Sequence, residues 1–320
     1  MTQRRVLITG ASGYIGRRLV AALRLRGEEV VALEPGQQGW IVSPSSVDAT
    51  NAPSAGLEAL AAGATVVHLA DDISRYEGQT TYYDRERTAE VLKPTLDLAR
   101  QAREAGAAKL IYASSIRAMA GESAPHRLSD DDEPHPVCLY GRLKLEAERQ
   151  IADIFDNTSI TLVALRLPIV YGTGRESNFT RLLRLADTPV PLPLAGLANA
   201  RSMLFIENLE DAVATIHRHE AGDSHAYLIH DGRALSTSEL VRLLRRGLGR
   251  SGRLFRLPTA AWAGLARLPA QSPIVNRLAQ SLAVDDGRFR TQFGWQPPFT
   301  AEAGIERAAR LYAAGRTARS

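Results

Sequence analysis

The chain has 320 residues, 45% of them hydrophobic, enough for a sizeable core in one large or two closely joined domains. Its 39 basic against 35 acidic residues leave a formal charge of +4, spread along the chain, which makes no case for nucleic acid and suits a small anionic partner. The single Cys138 excludes an intrachain disulfide or a cysteine metal cluster and fits the cytoplasm, no apolar run reaches the ~18–20 residues of a membrane span, and the first strand begins too early for a signal peptide.

Val6 to Ile8 reads as a buried parallel strand, followed by Gly10, Gly13 and Gly16 at three-residue spacing. Arg17 to Arg26 reads as an amphipathic helix, so the glycines lie on a strand-to-helix turn. There Gly10 permits the tight turn, Gly13 lets a ligand approach the backbone, and Gly16 lets helix and strand pack closely. The helix N-terminus offers free N–H groups to a pyrophosphate. The same glycines would also suit a turn with no ligand.

Glu28 to Leu33 reads as a second strand with Glu34 at its end, eighteen residues past Gly16. That is close to the spacing of roughly 20 at which an acid meets the adenosine ribose. A carboxylate there accepts from both ribose hydroxyls and repels a 2′-phosphate. With no Arg or Lys from Pro35 to Asn51, the sequence points to NAD over NADP. A solvated strand-end acid is the plainer alternative. After a third short strand around Ile41 and Val42, Asp48 stands where an acid would meet the adenine amino group or simply serve a turn.

Thr65 to Ala70 is the next buried strand, with Asp71 and Asp72 at its C-terminal end, where ligands gather in open α/β sheets. Residues 84–105 read as a long helix that Pro94 should kink or break. Lys109 to Ala113 is a strand ending in Ser114-Ser115. The loop after it carries Asp130 to Glu133, read as a solvated acidic face. A helix over Tyr140 to Ile151 and a strand over Ile160 to Leu167 complete an alternation that implies a parallel, doubly wound sheet. The pattern loosens after Tyr171. We place a nucleotide domain at 1–171 and a smaller, mainly substrate-binding domain at 172–320, with segments near 203–230 crossing back. Leu204 to Ile206 reads as a strand, Asn208 as the cap of a helix to Glu220, and Ala226 to Ile229 as a strand. Ser236 caps a further helix, and another begins at Ala301.

Tyr140 and Lys144, four apart, share a helix face. A free tyrosine, with pKa ~10, is a poor base near neutrality, and a neighbouring ammonium favours its phenolate. With nine Tyr and only three Lys, such a pair arises by chance in roughly one chain in ten or fewer. The bland reading is a surface Lys beside a half-buried Tyr. Ser115 would donate to the reacting oxygen, with Ser114 as the alternative and a strand-end cap as the plain reading. Arg201 would grip a diphosphate bidentately, with Asn178 and Asn199 completing an anion pocket, or else lie on the surface of an arginine-rich chain. The seven His show no metal-ligand spacing.

Taken together, Thr9–Gly16, Val67–Ala70, Tyr112–Ser115, Tyr140–Lys144, Leu165–Pro168 with Val170–Gly172, and Asn199–Ser202 resemble the extended short-chain dehydrogenases/reductases of the NAD-dependent epimerase/dehydratase type. Further stretches, among them Ser114–Glu122, Pro191–Leu194 and Gly294–Pro298, are similar to nucleotide-sugar 4-epimerases and 4-keto reductases of bacterial surface polysaccharides. The resemblance implies a Rossmann-type fold and an NAD cofactor touching Gly10, Ser12, Gly13, Tyr14, Ile15, Gly16, Leu69, Ala70 and Pro168. It implies Tyr140 as acid/base, Lys144 as its partner and Ser115 as oxygen donor, with Asn178 and Arg201 on a nucleotide diphosphate. It also implies a homodimer through the 84–105 and Tyr140 helices. Departures from the family pattern are Asp71 and Pro94 where small residues are usual, Val91 in place of Asn, and Ile116 where many members carry Ser or Thr. Three activities follow in order: a C4 epimerase on a UDP-type sugar, a 4-keto reductase, and a non-catalytic nucleotide-binding protein.

Overall fold

The structure is a computed structural model and describes residues 5–36, 39–42, 57, 61–76, 83–174, 177–220, 222–258 and 278–317. In chain order β1 (Val6–Thr9), α1 (Tyr14–Leu25), β2 (Val30–Gly36), β3 (Gly39–Val42), β4 (Thr65–His68), α2 (Arg85–Glu104), β5 (Lys109–Ser115), α3 (Leu139–Phe155) and β6 (Thr161–Leu167) form the first part. There follow β7 (Ile169–Tyr171), α4 (Asn178–Ala186), β8 (Leu192–Ala195), β9 (Met203–Phe205), α5 (Ile206–Arg218), β10 (His225–Leu228), α6 (Thr237–Gly247), β11 (Leu254–Arg256), α7 (Gly287–Phe293) and α8 (Ala301–Thr317).

The main sheet runs β10-β6-β5-β4-β1-β2-β3. All its pairs are parallel except β2–β3. Its strands alternate between two cores: Val6 and Ile8 join one, Leu7 the other. Leu19 and Leu23 of α1 and Leu209 and Val213 of α5 pack in the first core. Leu92, Leu96 and Ala99 of α2 and Leu143, Ala147 and Ile151 of α3 pack in the second. Helices on both faces make the strands apolar throughout, which is why they read as continuous runs. The fold is therefore the doubly wound, Rossmann-type α/β sheet expected. Chain direction diverges at β1, with β2 on one side and β4 on the other, and ligands of such sheets bind in the crevice this opens.

Several local expectations change. The third strand is antiparallel, because β2 and β3 form a hairpin in which Glu34 faces Ile41 in register. Glu34 thus lies within β2 and not at its end. Asp48 lies outside the described residues. Pro94 does not break α2, which runs through it. Asn208 is not a cap: α5 begins two residues earlier, with Phe205 at the cap position. Fully buried, Asn208 donates to Asp231 (2.7 Å) and to the Phe299 carbonyl (2.8 Å). Nor is the acidic run wholly solvated: Asp130 accepts from the Leu228 N–H at 2.7 Å, and burial pushes its carboxyl up to about 6. Ser236 does cap α6, in a reciprocal capping box with Glu239.

Candidate active site

Gly10 has φ +69°, a conformation open to glycine but strained for other residues. The turn closes through Gly13 N–H on the Gly10 carbonyl at 2.9 Å. A Cβ on Gly16 would lie 2.1 Å from that same carbonyl, so only glycine lets α1 start this close to β1. Gly13 caps α1 without a side-chain hydrogen bond, which leaves first-turn N–H groups uncapped by any side chain in the crevice. That is the donor set a dinucleotide pyrophosphate requires. Ser12, Tyr14 and Ile15 lie on the same turn. Arg17, which sequence reading passed over, donates from its guanidinium to the Ser12 carbonyl and adds a cation beside the cradle. Its place next to the third glycine was the available signal.

A buried polar chain fixes this turn against β4. Thr9 Oγ1 accepts from the N–H groups of Leu69 (3.2 Å) and Ala70 (3.3 Å). Its one proton then goes to His68 Nδ1 at 2.7 Å, which assigns the His68 proton to Nε2, donated to Thr95 Oγ1 at 3.0 Å. Burial lowers the His68 pKa to about 4, so the ring stays neutral. Leu69 and Ala70 are thereby pinned beside Gly10, whose Cβ would meet the Ala70 nitrogen at 3.0 Å.

Tyr140 and Lys144 occupy the first turns of α3. Cys138 caps the helix, its sulfur accepting from Gly141 N–H at 3.5 Å. A Cβ on Gly141 would stand 2.1 Å from the Arg117 carbonyl, so this glycine lets the Tyr140 turn settle against the end of β5. Lys144 is 5% exposed. Its Nζ donates to the Ala113 carbonyl at 2.5 Å and to Asp71 Oδ2. It lies 4.8 Å from the Tyr112 ring centre and 5.9 Å from that of Tyr140. Tyr112 O–H donates to the same Asp71 oxygen at 3.0 Å. Burial, then the Asp71 charge, raises the Tyr112 phenol well above its ordinary range and keeps it a neutral donor. Asp71 as a partner of Lys144 was not foreseen; the signals were its place at a strand's C-terminal end and its departure from the small residue usual there.

Ser115 closes β5, and its Oγ accepts from Arg117 N–H at 3.2 Å, capping the single turn Ile116–Ala118. The cap uses the oxygen and leaves the hydroxyl proton for another acceptor. Ser114, the alternative, donates to Glu148, which Arg166 holds at 2.8 Å in a buried pair. Its hydroxyl is committed to the core.

On the far side lie Pro168 and the three residues expected to form an anion pocket. Pro168 is buried between β6 and β7, and Asn178 is exposed at the start of α4. Asn199 is 7% exposed, accepts from Thr237 N–H at 3.0 Å and donates to the Gln280 carbonyl at 3.2 Å. It is a bracket between segments. Arg201 donates to the carbonyls of Glu122 and Gln280, both at 3.2 Å. Adjacent to it, Ala124, Arg127, Ala200, Arg233 and Ser281 border a recess of about 430 Å³.

No helix among the described residues is long and apolar enough to cross a membrane. The family model described as NAD dependent epimerase/dehydratase matches residues 6–229. A UDP-glucose 4-epimerase from Vibrio cholerae is 30% identical, over 96% of this chain and 95% of its own. A 3-beta-hydroxysteroid dehydrogenase from Mycolicibacterium neoaurum is 26% identical, over 93% and 88% respectively. Among solved structures, a UDP-N-acetylglucosamine 4-epimerase from Bacillus cereus shares the fold at TM-score 0.70 and 19% identity, over 97% of this chain and 99% of its own. With its glycine cradle and Tyr140–Lys144 pair in place, the chain belongs to the NAD-dependent epimerase/dehydratase family, as an enzyme whose cofactor is NAD.

Proposed function

We propose that the protein is a nucleotide-sugar 4-epimerase acting on a UDP-type sugar. The observation that carries this reading is that Tyr140 and Lys144 stand in the first turns of α3 and Ser115 at the end of β5, in the same sheet as β1, which leads into the Gly10–Gly16 turn. The near full-length similarity to a UDP-glucose 4-epimerase supports it. The Gly10–Gly16 cradle would hold NAD and Glu34 would meet its ribose; the chemistry such a cofactor would supply is acceptance and return of the C4 hydride.

The Tyr140 phenolic oxygen takes the proton of the sugar 4-hydroxyl, and the Lys144 ammonium stabilises the phenolate that does so. Ser115 donates its free proton to the same sugar oxygen and orients it. Once the 4-keto sugar has turned its other face, Tyr140 returns the proton. Asn178 and Arg201 are assigned to the diphosphate. For Arg201 this means leaving two carbonyls for an anion, an exchange in which bonds to a charged acceptor replace bonds to neutral ones. We place the division between nucleotide and substrate parts near Tyr171, with β9, α5 and β10 returning to the nucleotide side, and the enzyme in the cytoplasm.

The assembly we propose is a homodimer through α2 and α3. Lys93, Asp97 and Arg100 on α2 and Arg142 and Arg149 on α3 lie on their outer faces. A dimer built there is polar and should loosen with salt.

A single-pass 4-keto reductase is the second reading, supported by the dehydrogenase relative. The test is to denature purified protein, quantify the released dinucleotide, and incubate fresh enzyme with UDP-hexoses and UDP-N-acetylhexosamines without added cofactor. Near-stoichiometric NAD with interconversion of a C4 pair supports the epimerase. An empty protein that oxidises NADH only with a 4-keto sugar supports the reductase.

A further inference from the structure

The mechanism above uses Lys144 as a cation, yet the structure does not leave that charge alone. Asp71 meets it directly, both side chains are buried (6% and 9% exposed), and Tyr112 donates to the same carboxylate oxygen. Nearby, Glu148 and Arg166 form their own buried pair, His68 is neutral, and Arg117 donates to Cys138 Sγ at 3.7 Å. The Lys144–Asp71 pair therefore carries a net charge near zero, where a lone lysine would give +1.

Hydride is exchanged at the carbon whose oxygen Tyr140 serves, so this pair stands at the nicotinamide end of the site, an assignment that rests on the proposed function. The oxidised nicotinamide ring is positive and the reduced ring neutral. A lone buried ammonium repels the first and is indifferent to the second. We propose that Asp71 is a positioning residue that holds Lys144 and cancels its charge, so that the site retains NAD⁺ in preference to NADH. This suits an enzyme that starts and ends each cycle with oxidised cofactor. The Ala113 carbonyl and Tyr112 hydroxyl fix the pair, so cofactor binding need not rearrange it.

The size of the effect follows from one unit charge acting over roughly 10–12 Å at an effective dielectric of about 20, which is worth about tenfold in relative affinity. The experiment strips bound nucleotide and measures dissociation constants for NAD⁺ and NADH separately. The proteins are the wild type, D71N, and the double variant D71N/K144M, each checked for a cooperative melt by circular dichroism. The ratio of the two constants is the readout, because general damage to the pocket moves both alike. We expect D71N to shift the ratio about tenfold toward NADH and the double variant, again uncharged, to return within about threefold of wild type. A ratio that stays constant while both affinities fall together overturns the proposal and makes Asp71 a packing residue. A wild-type protein that binds neither dinucleotide overturns the functional reading along with it.

Discussion

The two halves of this chain use buried polar residues in opposite ways. Around the glycine cradle, polar side chains are tied mainly to one another, as Thr9, His68 and Thr95 are. Ser115 uses its oxygen for a cap and retains its proton, and Gly13 leaves the first turn of α1 without a side-chain cap. In the C-terminal half, comparable residues are spent on backbone. Arg245, 1% exposed, donates to the carbonyls of Thr188 (3.2 Å), Ser251 (3.1 Å) and Arg253 (3.0 Å). Asn199 and Asn208 likewise bridge distant segments. One half carries the candidate site. The other is an irregular fold that needs internal brackets, since its short strands satisfy few backbone groups on their own.

The largest test of this contrast is Tyr140→Phe. Removing the proton-transfer group should lower turnover by roughly 10²–10⁴ and leave cofactor binding and thermal stability nearly unchanged. Asn208→Ala should do the reverse: it takes one donor from the Asp231 carboxylate, which keeps the Phe205 N–H, and strands the N–H and carbonyl of Phe299, and urea unfolding should show a loss of about 3 kcal/mol. If either variant behaved like the other, the contrast would fail.

His68 joins the two behaviours, being structural yet next to the cradle. Its pKa is lowered in the folded state, so its contribution is complete above the unfolded value near 6.5 and is lost as pH falls toward about 4. The stability difference between wild type and His68→Asn should therefore shrink by roughly 3 kcal/mol over that window. Asp130 and Asp231, both raised to about 6 chiefly by burial, act with the opposite sign and make the protein less stable as pH rises from about 4 to 6. Comparing the variant with wild type at each pH removes them. A difference that does not change with pH would mean that His68 titrates alike in the folded and unfolded chain.

Arg201→Ala gives the smallest effect and sharpens the boundary between the halves. If Arg201 leaves its carbonyls for a diphosphate, nucleotide-sugar binding weakens by about 1.5–3 kcal/mol while NAD affinity holds. Equal loss for both ligands, with a lower melting temperature, would place it among the brackets.

What could be read from the sequence follows the same division. The glycine turn and the Tyr140–Lys144 pair are local: three-residue and four-residue spacings fix which atoms face together. The Asp71–Lys144 pair is not, because its members are 73 residues apart and meet only where β4 and α3 converge. Asn208 looked like a cap because Asn favours that position, but the strand β9 ends directly into α5 and tertiary packing sets the start. Glu34 was placed by spacing, which cannot see that β2 continues into a hairpin. Arg201 and Asn199 were grouped by sequence proximity, whereas the Gln280 carbonyl, some 80 residues on, recruits both.

The central claim, that one hydride leaves and returns to C4 within a single active site, is tested most directly by isotope. Enzyme is incubated with UDP-glucose carrying deuterium at C4, with no added cofactor, and the product is analysed by mass spectrometry and proton NMR. Our account predicts a C4 epimer that keeps deuterium at C4 and gains none elsewhere. Product with hydrogen at C4, or label appearing in free reduced cofactor, would contradict it.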